Sequence, residues 1–406
     1  MNIRSITYFL NPNYPSRREA FDNAAAFLTA ARPAFESAGF PVQTARLATV
    51  PFPQLEPSWI PARATGIARE MERSSKEAGY DYISLGPAVP AAPGSFEVIP
   101  EILAGTGSVF LSGRMASGGE GINLPAVKAC AKIIQQAATI STDGFANLRF
   151  AALANVPSGA PFFPAAYHEG EGPRFALAIE AAGLAVEAVE GAASLAEARR
   201  RLVEAVEGQA AGLVRLATDM ENQFEVEFGG IDFSLAPFPE PARSLGTALE
   251  GLGLPAVGLH GSLAAAAFVA DALDRAQFHR AGFSGLMLPV MEDSVLAARS
   301  AEGKLTVNDL LLYSAVCGTG LDTVPLPGDI SVSQLQAILL DLAALAQRLE
   351  KPLTARLMPI PGKAAGEETG FDFAYFANSR VLGVRAEPLG GLLDGDETWL
   401  IKSWKR

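Results

Sequence analysis

The residues with the most chemical promise are a histidine, a cysteine and several carboxylates set in apolar surroundings. His168 stands in Pro164-Ala-Ala-Tyr-His-Glu-Gly-Glu171, a loop between two expected strands. An imidazole there, beside Glu169, can act as metal ligand, general base or substrate contact, or can simply order the loop. Glu225, Glu227 and Asp232 bracket Phe228-Gly-Gly-Ile231. Strand alternation puts Glu225 and Glu227 on one face and Asp232 on the other, unless the double glycine makes a bulge. A carboxylate inside an apolar strand must be paired, metal-bound or held by backbone amides. That singles out Asp232, and by the same argument Asp322 in the apolar run 321–326. Cys317 precedes Gly-Thr-Gly at the end of an apolar helix. A catalytic thiolate needs a base and a lowered pKa; no histidine neighbours Cys317 in sequence, so a small buried hydrophobe is the favoured reading and nucleophilic catalysis the alternative.

Catalysis is therefore expected at His168, Asp232, Cys317 and Asp322, and a divalent cation, the one cofactor suggested, at Glu225, Asp232 and Asp329. Asp329 follows Pro327-Gly328 and precedes a helix, so N-capping is its first reading. Three histidines without H-x-x-H or H-x-x-x-H spacing argue against a classical zinc site. Arg114, in the glycine-rich loop 113–121 before a helix, suits an anion. Lys363, in Pro361-Gly-Lys, offers a second cation at a turn. With Asn155 and the loop-placed His260 they form the expected substrate-binding set. If equivalent loops face opposite mouths of the fold, Arg114 and Lys363 need not share a site. No Lys-Ser/Thr ending makes the glycine loop a P-loop, and no G-x-G-x-x-G follows the first strand of either half, so no nucleotide cofactor is expected.

These residues must be positioned by an α/β framework. Apolar runs at 3–10, 41–49, 80–85, 108–111 and 148–156 read as strands, with 175–180 a sixth, shorter or at an edge. Helices lie between them; Ser16 caps the first and Gly39 closes it. A long Ala/Glu/Arg helix spans roughly 195–222, and its charge runs read as a solvated face. Then the pattern starts again, with strands at 227–236, 255–259, 283–288, 321–326, 353–360 and 379–384. The two halves, about 3–180 and 226–386, thus read as an internal duplication inside one domain spanning 1–406. Alternating strands and helices imply parallel pairing and right-handed crossovers. Two such half-sheets can close into a barrel of about ten strands.

With 406 residues, 49% of them hydrophobic, the chain can bury a large core. A formal charge of −12 argues against binding nucleic acid or an anionic membrane. No apolar run is long enough to span a bilayer, and the N-terminus lacks a signal-peptide pattern. Two cysteines cannot build a disulfide framework, so a reduced, cytoplasmic setting is expected. The apolar helices of an Ala-rich chain also fit a homo-oligomer, with a homodimer the simplest form.

Several stretches carry a family likeness. Asn147-Leu-Arg-Phe-Ala-Ala-Leu-Ala-Asn-Val-Pro157 with Pro161-Phe-Phe-Pro-Ala-Ala-Tyr-His168, Glu227-Phe-Gly-Gly-Ile-Asp-Phe-Ser-Leu-Ala-Pro237, Val316-Cys-Gly-Thr-Gly-Leu-Asp-Thr-Val-Pro-Leu-Pro-Gly-Asp329 and Met358-Pro-Ile-Pro-Gly-Lys363 resemble the uncharacterised DUF711 family, also called UPF0210. The resemblance covers nearly the whole chain. It implies a fold similar to the ten-stranded barrel of pyruvate formate-lyase-like glycyl radical enzymes, built from two five-stranded halves. It carries no established activity. Arg380-Val-Leu-Gly383 looks like the Arg-Val-x-Gly of a glycyl-radical loop, with Cys317 as thiyl partner, but the match is short and Gly383 falls in a strand-like run where a packed glycine is the simpler account. The expectation is a non-radical enzyme acting on a small anionic metabolite inside a barrel or at its mouth, against the alternative of a non-catalytic ligand-binding or assembly protein.

Overall fold

The computed structural model of the chain describes residues 1–404. Its first part runs β1 (Asn2–Leu10), α1 (Arg17–Ser37), β2 (Val42–Thr49), α2 (Ala64–Glu77), β3 (Tyr82–Ala88), α3 (Ile99–Gly105), β4 (Val109–Ser117), β5 (Gly121–Asn123), α4 (Leu124–Ala138), β6 (Phe150–Ala154), β7 (Arg174–Glu180), α5 (Ala182–Val189) and α6 (Leu195–Phe224). There follow β8 (Glu227–Ala236), α7 (Leu245–Gly251), α8 (Ser262–Arg275), α9 (Ser294–Ala301), α10 (Val307–Tyr313), β9 (Gly320–Pro327), α11 (Val332–Leu349), β10 (Leu353–Ile360) and β11 (Thr398–Trp399). Helix starts follow local chemistry. Ser16 accepts a hydrogen bond from the Glu19 amide to open α1, and Gly39 leaves that helix at φ 88°, in the left-handed region. Ser194 caps α6 in the same way. Ser331 and Gln334 form a capping box at α11, so Asp329 is not the cap; it is exposed in the preceding turn.

The strands form one mixed sheet of 11, with the path β8-β7-β1-β2-β3-β4-β6-β10-β9 and the short β5 and β11 attached at β4. β1, β2, β3, β4 and β6 pair in parallel along this path. β7 with β8, and β9 with β10, are also parallel pairs. The two sets meet antiparallel at β1/β7 and β6/β10. β7 is thus interior to the path, not at an edge: its register is taken up by β1 on one side and β8 on the other. Residues 283–288 do not form a ladder. Their segment makes single parallel bridges, Ile231↔Arg280 to β8 and Pro289↔Asp322 to β9. Residues 255–259 turn instead of extending, because Gly258 sits at φ 101° against the Lys304 carbonyl. Residues 379–384 are irregular apart from one bridge, Glu368↔Arg380, and Gly383 is exposed, not packed in a strand.

The two faces of the sheet are covered differently. Ile6, Tyr8, Leu47, Ile83 and Leu111 pack with helix residues such as Phe27, Met71 and Ile134 in the main core. Each such side chain contributes about 1.5–3 kcal/mol of burial. The other face carries Phe9, Ala48, Phe110 and Ala176, packed by Phe163 and Ala166 from the loop after β6. No helix covers Phe9 and Phe110 within that cluster, so loops must close this face and polar residues can be held behind them. Bulges aim those residues. Between Ile3 and Ser5 the register of β1 on β7 slips by one, leaving Arg4 as the extra residue. β9 bulges at Asp322-Thr323 against β10, with Thr323 at φ 44°. β8 bulges twice against β7, between Phe228 and Ile231 and between Asp232 and Ala236. Among the described residues no helix is long and apolar enough to cross a membrane.

Candidate functional site

A cavity lies on the loop-covered face, walled by β1, β2, β3, β4, β7, β8 and β10 and closed by residues 161–163, 287–292 and 373–375. Its volume is about 80 Å³, measured over positions a water centre can occupy. A water needs roughly 10–15 Å³ on that measure, so the cavity holds several waters or one small ligand. Arg4, Arg46, Arg356, Glu292 and Asp232 reach its wall.

The charges form a chain. Glu292 takes Arg4 Nη2 on one oxygen and, at 2.7 Å, Arg356 Nη2 on the other. Arg356 Nε donates to Asp322 Oδ1 at 2.6 Å. The second Asp322 oxygen is buried and has no hydrogen-bond partner among the described residues. Arg46 differs. Its Nε donates to Thr44 Oγ1 at 3.0 Å, its guanidinium carbon lies 5.1 Å from the Phe163 ring centre, and among the described residues no carboxylate comes within 4.0 Å of it. Glu292 acts on Arg46 only across the cavity, and an arginine with no carboxylate in contact in a largely buried site is costly unless something supplies the charge.

Burial sets the proton affinities. It works to raise the Glu292 carboxyl, but Arg4, Arg356 and Arg46 outweigh it and hold Glu292 below the usual carboxylate range. Burial raises Asp322, with Arg356 opposing. The 2.6 Å charge-assisted bond from Arg356 nonetheless favours the carboxylate form of Asp322. Burial, then Arg4, depress Arg46. Asp232 is raised by burial against the pull of Ser234, Phe283 and Ser284. It accepts from Ser234 Oγ, from the Phe283 amide at 3.1 Å and from the Ser284 amide at 2.9 Å. Gly282 packs so close that an added Cβ would meet Asp232 Oδ2 at 2.2 Å, so only glycine fits there.

Of the residues expected from sequence, Asp232 lines the cavity and Asp322 stands directly behind it on Arg356; the others are elsewhere. His168 is 2% exposed, its ring packs beside Phe9, and among the described residues neither ring nitrogen has a hydrogen-bond partner. Burial, then Arg174, lower its pKa to about 4. Cys317 belongs to the helix-side core, and its carbonyl is held by Lys351 Nζ, which fits the buried-hydrophobe reading. Arg114 reaches toward Glu120 at 3.7 Å. Asn155, at φ 57°, ties β6 to α11: it donates to the Ala346 carbonyl at 2.9 Å and accepts from Gln347 at 2.7 Å. Its amide is thus spent on structure. His260 is exposed in the turn before α8, and Lys363 is half-buried in the turn after β10. The expected metal set is not assembled. Glu225 ends α6 in the left-handed conformation and is exposed, Asp329 is exposed, and Asp232 is buried. Among the described residues no group of three or more His, Cys, Asp or Glu is arranged to hold a metal.

Arg4, Arg46, Arg356 and Glu292 were not singled out by sequence. The signal was present for the arginines: each interrupts an apolar strand, at 3–10, 41–49 and 353–360. The rule that marked Asp232 and Asp322 applies to a guanidinium as well. Glu292 lies in a loop and had no such mark.

The family described as Uncharacterised ACR (DUF711) matches residues 1–386. A UPF0210 protein of Pyrobaculum aerophilum is 34% identical over 394 residues, covering 90% of this chain and 87% of that protein. One from Syntrophobacter fumaroxidans is 32% identical over 356 residues, covering 82% and 77%. One from Clostridium perfringens is 29% identical over 350 residues, again covering 82% and 77%.

Proposed function

The chain belongs to the DUF711 family of uncharacterised proteins, and from that premise and the geometry of its cavity we propose that it binds a small organic anion there, with Arg46 as the docking cation. The carrying observation is that among the described residues no carboxylate lies within 4.0 Å of Arg46, while Arg4 and Arg356 are engaged with Glu292 and Asp322. A bound anion would lower the energy of a guanidinium that burial makes hard to keep charged. Asp232 is the candidate acid–base group, a buried carboxyl with raised proton affinity on the same wall. This favours a non-radical enzyme acting on the anion. The backbone amides that hold Asp232 favour a second reading, a binding protein without turnover.

The wider architecture follows the same reading. The segment 280–290 bridges both β8 and β9, which supports closure of the sheet into a ten-stranded barrel. Its parallel sets would be β1-β2-β3-β4-β6 and β7-β8-(280–290)-β9-β10. That division supports an origin by duplication, with β7 in the second set. Exposed Leu392, Leu400 and Trp404 on the C-terminal segment support a homo-oligomer; light scattering that returns a clean monomer at micromolar concentration would end that idea.

The anion reading is tested by thermal denaturation of the native protein and Arg46→Gln with acetate, benzoate or inorganic phosphate. At least one anion raises the native midpoint and leaves the variant unmoved. Equal shifts in both proteins, or none in either, would remove the anion site. Turnover is addressed through protons. A negative charge docked near Asp232 raises its proton affinity further, so binding takes up protons in native protein and not in Asp232→Asn, read as buffer-dependent heats in calorimetry. The absence of proton uptake would leave the binding-protein reading.

A further inference from the structure

The geometry points to an aryl or arylalkyl monocarboxylate as the ligand class of this cavity. The inference rests on the anion-site reading and deepens it by naming the ligand. Two observations carry it, the charge count and the ring wall.

The charge count limits the ligand to one negative charge. Three guanidiniums reach the cavity; Glu292 and Asp322 are bonded to two of them, Arg4 and Arg356, and Asp232, held by Ser234 and two backbone amides on the same wall, is neutral once it takes up its proton on binding. Among the described residues at the cavity, Arg46 is left to meet a further charge. A dianion such as phosphate would bring a second charge next to Glu292 with no cation to receive it, and like charges in a poorly solvated site repel strongly. A carboxylate presents one charge spread over two oxygens, which suits the planar fork of a guanidinium.

The ring wall sets the body of the ligand. Next to Arg46, Phe163 stacks with Phe110 at 5.3 Å between ring centres, and Phe110 with Tyr82 at 5.3 Å. From the segment after β10, Phe373 and Tyr375, 5.3 Å apart, face the same cavity. Rings prefer tilted or edge-on partners at such distances, and a bound ring can join the series. A short polar acid such as acetate would fill the charged end and leave the aromatic surface in contact with trapped water. A neutral aromatic would leave Arg46 without its counter-charge. The combination of one free cation and a tilted ring series selects a molecule with both features.

Calorimetric titration of the native protein tests this without relying on any variant. The probes are phenylacetate, benzoate, acetate, inorganic phosphate and neutral benzyl alcohol. Phenylacetate or benzoate is expected to bind one to one, at least tenfold tighter than acetate, phosphate or benzyl alcohol. Arg46→Gln should lose that preference and Arg46→Lys keep part of it. If phosphate or acetate binds as tightly as the aryl acids, this inference fails while the anion site stands. If benzyl alcohol binds as tightly as the aryl acids, the inference fails and Arg46 is not the selecting group. If no probe anion binds, the anion site fails together with the inference.

Discussion

Glu292 and Asp293 are neighbours in the chain and both are buried carboxylates, yet they belong to different regions. Asp293 faces the junction of α7 and α9. It accepts from Ser244 Oγ and the Leu245 amide, each at 2.6 Å, and from the amides of Gly246, Val295 and Leu296 at 3.0–3.2 Å. One side chain thus satisfies the first amides of two helices, donors that have no other partner. Glu292 faces the cavity, and its partners are the guanidiniums of Arg4 and Arg356. The difference is in what the partners are free to do. Backbone amides at a helix start are fixed by the fold. Guanidiniums on a cavity wall have further donors to offer a ligand. Burial of a charge alone therefore does not mark a functional site; the freedom of its partners does.

The largest effect should come from the junction. Asp293→Ala removes the α9 cap and the acceptor of the first two α7 amides, stranding buried donors, so a loss of about 3–5 kcal/mol is expected in denaturant unfolding. Anion affinity of the folded protein should stay unchanged. A loss under about 1 kcal/mol would break the comparison, since it would make Asp293 as dispensable as a surface residue.

His168 sides with the junction and gives a pH signature. Its folded pKa is depressed from 6.5 to about 4, so between those values the unfolded chain binds a proton that the native chain does not. Its contribution is fully present above pH 6.5 and lost as pH falls toward 4. At 1.36 kcal/mol per unit the loss reaches about 3 kcal/mol. His168→Leu should flatten that part of the stability profile, and an unchanged profile would show that His168 is not the titrating group.

Glu292→Gln should cost less, about 1–3 kcal/mol, because Gln is isosteric and keeps an acceptor for one guanidinium while leaving the other undercompensated. The loss should be partly recovered by added phosphate, which can take the place of the missing charge. Glu292 also titrates in the opposite sense to Asp293. The folded Glu292 pKa is lowered, so its stabilisation is present above 4.5 and lost as pH falls through the folded value. Burial raises Asp293 despite its donors, so its contribution is fullest below 3.8 and declines as pH rises through the folded value. Unfolding of Glu292→Gln and Asp293→Asn against pH should separate the two. The smallest effect is expected at Asp329→Ala, within about 0.5 kcal/mol, because the residue is exposed and Ser331 makes the cap.

Elements with strong local signals were readable in the sequence. Ser16 and Gly39 frame α1, and residues 195–222 fall inside α6, which extends to Phe224. Asp232 and Asp322 were found by asking what an apolar strand does with a charge. What was missed depended on distant partners. Arg4 points into the cavity because β1 bulges against β7, a pairing across more than 170 residues. The segment 283–288 has a strand's composition but is anchored by Asp232 and by single bridges, which hydrophobic pattern does not encode. His168 and Asn155 look functional by type; tertiary packing uses one as a buried ring and the other as a tie to α11.

The most direct test is a crystal of the protein soaked with 4-bromobenzoate and measured at the bromine absorption edge. One anomalous peak is expected inside the cavity, with the carboxylate on Arg46 and the bromine among Phe110, Phe373 and Tyr375. A peak anywhere else, or an empty cavity at saturating ligand, would contradict that placement.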